Sequence, residues 1–375
     1  MATAQDDSLL MYVGTYTRRE SHVEGKSAGI QVCKFNKTTG EITYLGVTTG
    51  VTNPSFLALH PTGRFLYSVS EMNERIEGRP AGGIAAFSID PVSGELTALN
   101  MQPSGGSGPC HVIVDATGQY VLAANYASGG VVVLPIHADG SLGPSTDYVQ
   151  HEGSSINPQR QQEPHAHSIN LDGSNKYALV PDLGIDKVVI YQFDVATGTL
   201  KPNSAQPWAR TKSGAGPRHL DFHPNQRFVY VGNELDSTVI AFEFDASKGT
   251  LKEIQTLSTL PDGYDESGAE KSWVADVHVH PNGKTVYVSN RGHDSIASFD
   301  IDQESGELTA TGYASTQGKY PRNFAVAPEG NFLVAANQNS DDIYVYTVQA
   351  KNGGLTETEF SIEIPTPVCV KFLAL

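Results

Sequence analysis

One two-strand pattern returns six times along this chain. It reads NPSFLALHPTGRFLYSVSE at 53–71, GPCHVIVDATGQYVLAANY at 108–126 and EPHAHSINLDGSNKYALVPD at 163–182. It reads GAGPRHLDFHPNQRFVYVGNEL at 214–235, WVADVHVHPNGKTVYVSNR at 273–291 and YPRNFAVAPEGNFLVAANQ at 320–338. Its anchors, Pro54, Pro109, Pro164, Pro217, Val274 and Pro321, are separated by 55, 55, 53, 57 and 47 residues. Such a repeat restricts the fold strongly, because each unit must bury its apolar face against its own copies.

Each unit continues with a third apolar run, such as TVIAFEFD (238–245), then a glycine turn and a fourth run, such as SGELTA (305–310). The alternation has period two and almost no helical periodicity, so a unit is four short strands joined by turns. Four-stranded units at roughly 40–50 residues define a β-propeller. The chain ends on one unpaired strand, TPVCVKFLAL (366–375), and begins with a second and third, LLMYVGTYT (9–17) and GIQVCKFN. Pairing the ends completes a seventh blade and hides two sheet edges. The prediction is an all-β, seven-bladed propeller with four antiparallel strands per blade and one blade shared by the termini. Helical repeats are excluded by the period, and a parallel β-helix does not need these antiparallel turns. Residues 9–375 form one domain in this reading, behind a flexible segment at 1–8.

At 375 residues the chain exceeds one ordinary core, which a ring of blades accommodates. Its net charge of −16 argues against a polyanion partner, since phosphate backbones need a basic face. Cys33, Cys110 and Cys369 are far apart with no CxxC, which points to a reducing, cytoplasmic setting without disulfides or zinc. The start, MATAQDDS, lacks an apolar signal core, and no run of about 18 apolar residues occurs. No membrane association is expected.

In a four-stranded antiparallel blade, the fourth-to-first and second-to-third connections emerge on one face of the disc. The first-to-second turns, HPTG, HPNQ, HPNG and APEG, are short and alike. The other face carries the long connections 15–29, 70–83, 150–164 and 260–273. Function gathers where a scaffold presents variable loops, so the site is expected there, over the central channel. The column after the anchor reads Ser55, Cys110, His165, Arg218, Ala275, Arg322 and Val368; the next reads Phe56, His111, Ala166, His219, Asp276, Asn323 and Cys369. At the ends of the second strands stand Glu71, Asn125, Asp182, Glu234, Arg291 and Gln338. These residues differ from blade to blade, as a site requires and ring symmetry does not.

His60, His223 and His280 recur at the opposite turns and read as structural, while His278 can line the channel. The HAH at 165–167 has metal-binding geometry, but its third column is otherwise apolar, so packing explains His167. Arg218, Arg291 and Arg322 cluster at the mouth, where guanidinium forks suit an anionic ligand. Glu234 can neutralise Arg218 or move a proton. No GxSxG elbow, HExxH or P-loop is present.

Over nearly all of 9–375, and most specifically in GAGPRHLDFHPN, VGNEL, WVADVHVHPNGKTVYVSNR and YPRNFAVAPEGNFLVAANQ, the chain resembles the seven-bladed propeller lactonases. That group contains bacterial propeller-type 6-phosphogluconolactonase and fungal carboxy-cis,cis-muconate lactonizing enzyme. The resemblance implies a site needing no metal or other cofactor, with His165, Arg218, Glu234 and Arg291 as catalytic residues. It implies His219, Asp276, Arg322 and His111 as substrate contacts. The activity expected is hydrolysis of a small anionic sugar lactone, foremost 6-phosphoglucono-1,5-lactone, by a monomer or weak homodimer. Muconate-type lactonization and a non-catalytic binding platform are the alternatives.

Overall fold

The computed structural model describes residues 7–76, 79–265 and 271–374. Residues 1–6 of the expected flexible N-terminal segment, and 77–78 and 266–270 of two expected long loops, lie outside the described residues. Every regular element among the described residues is a strand, and no helix is long and apolar enough to cross a membrane.

Seven antiparallel sheets are arranged in a ring. Blade 1 begins at Leu57–Leu59, blade 2 at Pro109–Val114, blade 3 at Asn170–Leu171 and blade 4 at Pro217–Phe222. Blade 5 begins at Trp273–Val279 and blade 6 at Pro321–Val326. Blade 7 takes its inner strand, Pro367–Ala374, from the C-terminus and its second, Ser8–Thr15, from the N-terminus. Leu9 pairs with Ala374 and Val13 with Val370, so the ring closes through backbone hydrogen bonds. Gly14 is required at this seam, because a Cβ there would stand 2.7 Å from the Pro54 carbonyl oxygen.

The core lies between blades. Apolar clusters join blade 7 to 1 and 1 to 2 through Tyr12, Leu57, Tyr67 and Val121, and 2 to 3 through Leu122 and Val180. Others join 3 to 4, 4 to 5, 5 to 6 and 6 to 7. Each blade is apolar on both faces and must be covered twice, which only a closed ring of such units achieves.

Polar staples set the blade spacing. His60, His223 and His280 donate from Nε2 to the carbonyls of Gly118, Gly283 and Gly330 in the next blade, at 3.0, 2.7 and 2.7 Å. Nδ1 of each accepts the backbone N–H two residues on, which fixes the tautomer. Buried Tyr12, Tyr67, Tyr230 and Tyr287 likewise donate to glycine carbonyls of the following blade, at 2.9, 3.0, 3.1 and 2.7 Å.

Blade 3 departs from the pattern. Its inner strand shrinks to Asn170–Leu171 plus a single bridge between Ala166 and Asp182. The HAH segment is therefore not a regular strand.

Candidate active site

The four long connections do converge. Ser21 and His22, Glu71 and Asn73, Arg160 and Glu163, and Trp273 line one cavity of about 580 Å³ at the channel mouth. Its deeper walls are Cys110, Tyr126, His165, His167, Glu234, Arg291, Tyr320 and Arg322.

The floor is organised around Glu234, which is buried. Its Oε2 accepts from Arg218 Nε at 3.0 Å and forms an ion pair with Arg291 Nη2 at 2.8 Å, and its Oε1 accepts from Arg160 Nη2 at 2.6 Å. Burial by itself would raise the Glu234 pKa. The guanidiniums of Arg291, Arg160 and Arg218 outweigh burial and hold the carboxyl well below its ordinary range. Two hydrogen bonds and a further ion pair on one carboxylate disfavour its protonation and hold three cations together.

The arginines differ in what they leave free. Arg218 is committed to Glu234, to the Ala275 carbonyl and, from Nη1, to His219 Nε2 at 3.2 Å. Burial, then the neighbouring Arg291 and Arg322, push its pKa down to about 10. Arg291 donates from Nη2 to the Val274 carbonyl at 2.9 Å, lies 5.3 Å over the Tyr320 ring, and keeps a buried Nε with no hydrogen-bond partner. Arg322 stands 5.5 Å over Tyr16 and reaches Gln338 at 3.4 Å. Beside it, Glu71 accepts from Tyr16 Oη at 2.8 Å and from Ser55. Burial raises the Glu71 pKa in spite of Arg322.

His165 stacks on Tyr126 with ring centroids 4.5 Å apart. Its Nδ1 lies 2.9 Å from the Tyr126 carbonyl oxygen, which can only accept, so Nδ1 carries the proton and Nε2 is the acceptor. Its backbone N–H donates to Asp182 Oδ1 at 2.8 Å, and Asp182 Oδ2 accepts from His151 Nδ1 at 2.6 Å. His167 is buried, with Nδ1 3.7 Å from Cys110 Sγ, and burial and Arg218 hold it well below the usual imidazole range. Among the described residues no group of three or more His, Cys, Asp or Glu side chains is placed to hold a metal ion.

Three expected substrate contacts lie elsewhere. His111, His219 and Asp276 line a separate cavity of about 340 Å³ with Asp221, His278 and Lys371, towards the opposite face. A constriction of about 10 Å³, walled by Tyr16, Phe56, Glu71, Cys110 and Arg218 among others, stands between the two cavities. A β-bulge causes the division. Pro217 pairs with Asn233 and His219 with Gly232, leaving Arg218 out of register. Adjacent side chains then both serve the axis, Arg218 bonding to Glu234 in the mouth and His219 reaching down. His219 Nδ1 donates to Asp276 Oδ1 at 2.8 Å, and Asp276 Oδ2 also accepts from His278 Nε2 at 3.1 Å and from Asn323.

The second-strand ends need a one-residue correction. Asn125 and Asp182 align in register with Asn233 and Asn337, each opposite the start of its inner strand. Asn125 clamps the incoming connection by donating to the Ser104 carbonyl at 3.1 Å, as Asn337 does to Thr316 at 2.9 Å. The cavity-facing member of blade 2 is Tyr126, one residue later. Sequence reasoning also missed Arg160. Its only signal was an arginine inside a long insertion on the functional face.

The family described as "Lactonase, 7-bladed beta-propeller" matches residues 10–372. A 6-phosphogluconolactonase of Bacillus subtilis is 38% identical over 96% of this chain and 97% of its own. One of Formosa agariphila is 34% identical over 85% and 86%. Among solved structures, the periplasmic gluconolactonase PpgL of Pseudomonas aeruginosa superposes with a TM-score of 0.89 at 33% identity, covering 98% of this chain and 99% of that one.

Proposed function

Because the chain belongs to the seven-bladed β-propeller lactonases and is a lactone hydrolase, we propose that the mouth cavity hydrolyses 6-phospho-D-glucono-1,5-lactone to 6-phospho-D-gluconate. The observation that carries this is the cavity itself: three arginines gathered by one buried glutamate, with a fourth, Arg322, in the same wall, beside a histidine whose free acceptor is Nε2. In a chain of net charge −16 that concentration of guanidinium suits a small anion. The two curated relatives carry the same activity in their names. The three cysteines are free and buried, which fits a cytoplasmic enzyme.

His165 Nε2 takes a proton from water as the oxygen attacks the lactone carbonyl carbon. The carbonyl electrons pass to oxygen, and a guanidinium N–H of Arg291, which lines the cavity, is the donor for that oxyanion. Arg218, bonded through Nε and Nη1, holds Glu234 and so sets Arg291. Collapse of the tetrahedral intermediate breaks the ring C–O bond, and the imidazolium returns its proton to the departing alkoxide. The open-chain acid then ionises to the carboxylate. Lactones are reactive, so a positioned base contributing about 10²–10⁴-fold and one oxyanion donor contributing about 10²–10³-fold suffice.

The test is kcat of His165→Gln on 6-phosphogluconolactone beside its melting temperature. A loss of about 10²–10⁴-fold with the fold intact is expected. Near-wild-type turnover would remove His165 from the mechanism, and a wild-type protein that opens no sugar lactone would end the reading. Incubation with cis,cis-muconates, followed by loss of the conjugated diene, separates lactonization; no loss is expected.

A further inference from the structure

We propose that Arg160 is the specificity-determining residue that reads the phosphate of the substrate, holding it at the rim while the lactone ring lies on the floor. The inference rests on the lactonase reading above and adds to it a direction for the bound substrate.

Arg160 belongs to the 151–164 insertion, not to the repeated strands that supply Arg218, Arg291 and Arg322. The insertion is pinned. Gln161 donates from Nε2 to the Leu183 carbonyl at 2.8 Å, and Ser155 Oγ to Asp186 at 2.5 Å. Asn157 Oδ1 accepts the backbone N–H groups of Gln159 and Arg160 at 3.0 and 3.2 Å. A loop so tied presents its arginine in one place.

The side chain is half committed. Nη2 is held by Glu234 at 2.6 Å and Tyr126 Oη at 3.0 Å, and the guanidinium lies 5.7 Å over the Trp273 ring. Nε and Nη1 have no hydrogen-bond partner among the described residues. Both bidentate edges of the guanidinium contain Nη2, so what remains open to an anion is two separate single donors, Nε–H and Nη1–H. The fixed Nη2 holds those donors in place without being consumed by the ligand.

Depth gives the direction. The Arg160 side chain is 33% exposed, whereas those of Arg218 and Arg291 are 3% and 5% exposed. An anion at Arg160 sits at the opening. The carbonyl belongs below it, between His165 on Tyr126 and the guanidinium of Arg291. In a 6-phosphorylated 1,5-lactone the carbonyl carbon and the carbon that bears the phosphorylated arm flank the ring oxygen, and the extended arm lets the phosphate reach a rim arginine while the carbonyl rests on the floor.

The experiment measures kcat/KM on 6-phosphogluconolactone and on unphosphorylated gluconolactone for the wild type, Arg160→Ala and Arg160→Lys. The wild type is expected to prefer the phosphorylated lactone. Arg160→Ala should lower the ratio of the two kcat/KM values by about 10–100-fold, the worth of hydrogen bonds to a charged group. Arg160→Lys, a point charge without the planar guanidinium, should recover only part of it. Parallel losses on both lactones, with the ratio unchanged, would overturn the proposal. So would a wild type that shows no preference for the phosphorylated lactone, while leaving lactone hydrolysis standing. A wild type inert on both lactones would instead strike at the function itself.

Discussion

Replacing Glu234 with glutamine removes one charge and almost no volume from the centre of the mouth cavity. In the wild type that carboxylate is bonded by Arg218, Arg291 and Arg160, and the first two are buried with it. The variant leaves neighbouring buried guanidiniums facing a neutral amide. Removing one member of a buried ion pair costs about 3–5 kcal/mol. An unfolding entropy of about 2.1 cal/mol/K per residue gives about 0.8 kcal/mol/K for 375 residues. The expected fall in Tm at pH 7 is then about 4–6 °C. Because the folded pKa of Glu234 is depressed, its contribution is fully present above the ordinary value of 4.5 and is lost as pH falls through the depressed value. The Tm gap between wild type and variant should therefore narrow below pH 4.5. The assay is differential scanning calorimetry across pH, paired with kcat on 6-phosphogluconolactone. Activity should fall as well, since the arginines spread, but by less than in His165→Gln, the variant of the proposed base. An unchanged Tm, together with activity lost at least as completely as in His165→Gln, would point to Glu234 as the proton acceptor and refute this assignment.

Two further measurements examine other parts of the molecule. His223→Ala removes the donor to the Gly283 carbonyl and should cost about 1–3 kcal/mol, a Tm loss of a few degrees by the same conversion, with kcat unchanged because the staple lies on the face away from the mouth; an altered kcat would contradict that placement. His278 is half-buried, which disfavours its charge, but the carboxylates of Asp276 and Asp221 prevail and raise its pKa from 6.5 to about 10. Its stabilisation is complete below pH 6.5 and lost as pH rises through about 10, so the Tm advantage of the wild type over His278→Gln should shrink across that range; an advantage that grows with pH would reverse the sign argued here.

The parts of the site that were legible in advance share a cause. Arg218, Glu234, Arg291 and Arg322 occupy repeat positions at the open end of their hairpins, and the ring brings those positions together. His111, His219 and Asp276 were misplaced because a column of aligned letters assumes ideal strands. One bulge residue in each of the three inner strands that carry them sends neighbouring side chains to different ends of the axis. Reading Asn125 for Tyr126 has the same origin: a slip of one residue exchanges a backbone clamp for a cavity wall.

The repeat period, the strand alternation and the complementary half-blades at the termini determined a closed seven-bladed disc from sequence alone, since each is a local pattern that hydrophobic burial can satisfy in only one ring. Which side chains share a cavity was decided only in three dimensions. Bulge register, the path of the 151–164 insertion that brings Arg160 to Glu234, and the constriction dividing the channel all depend on contacts between residues far apart along the chain. No period in the sequence encodes the distances between them.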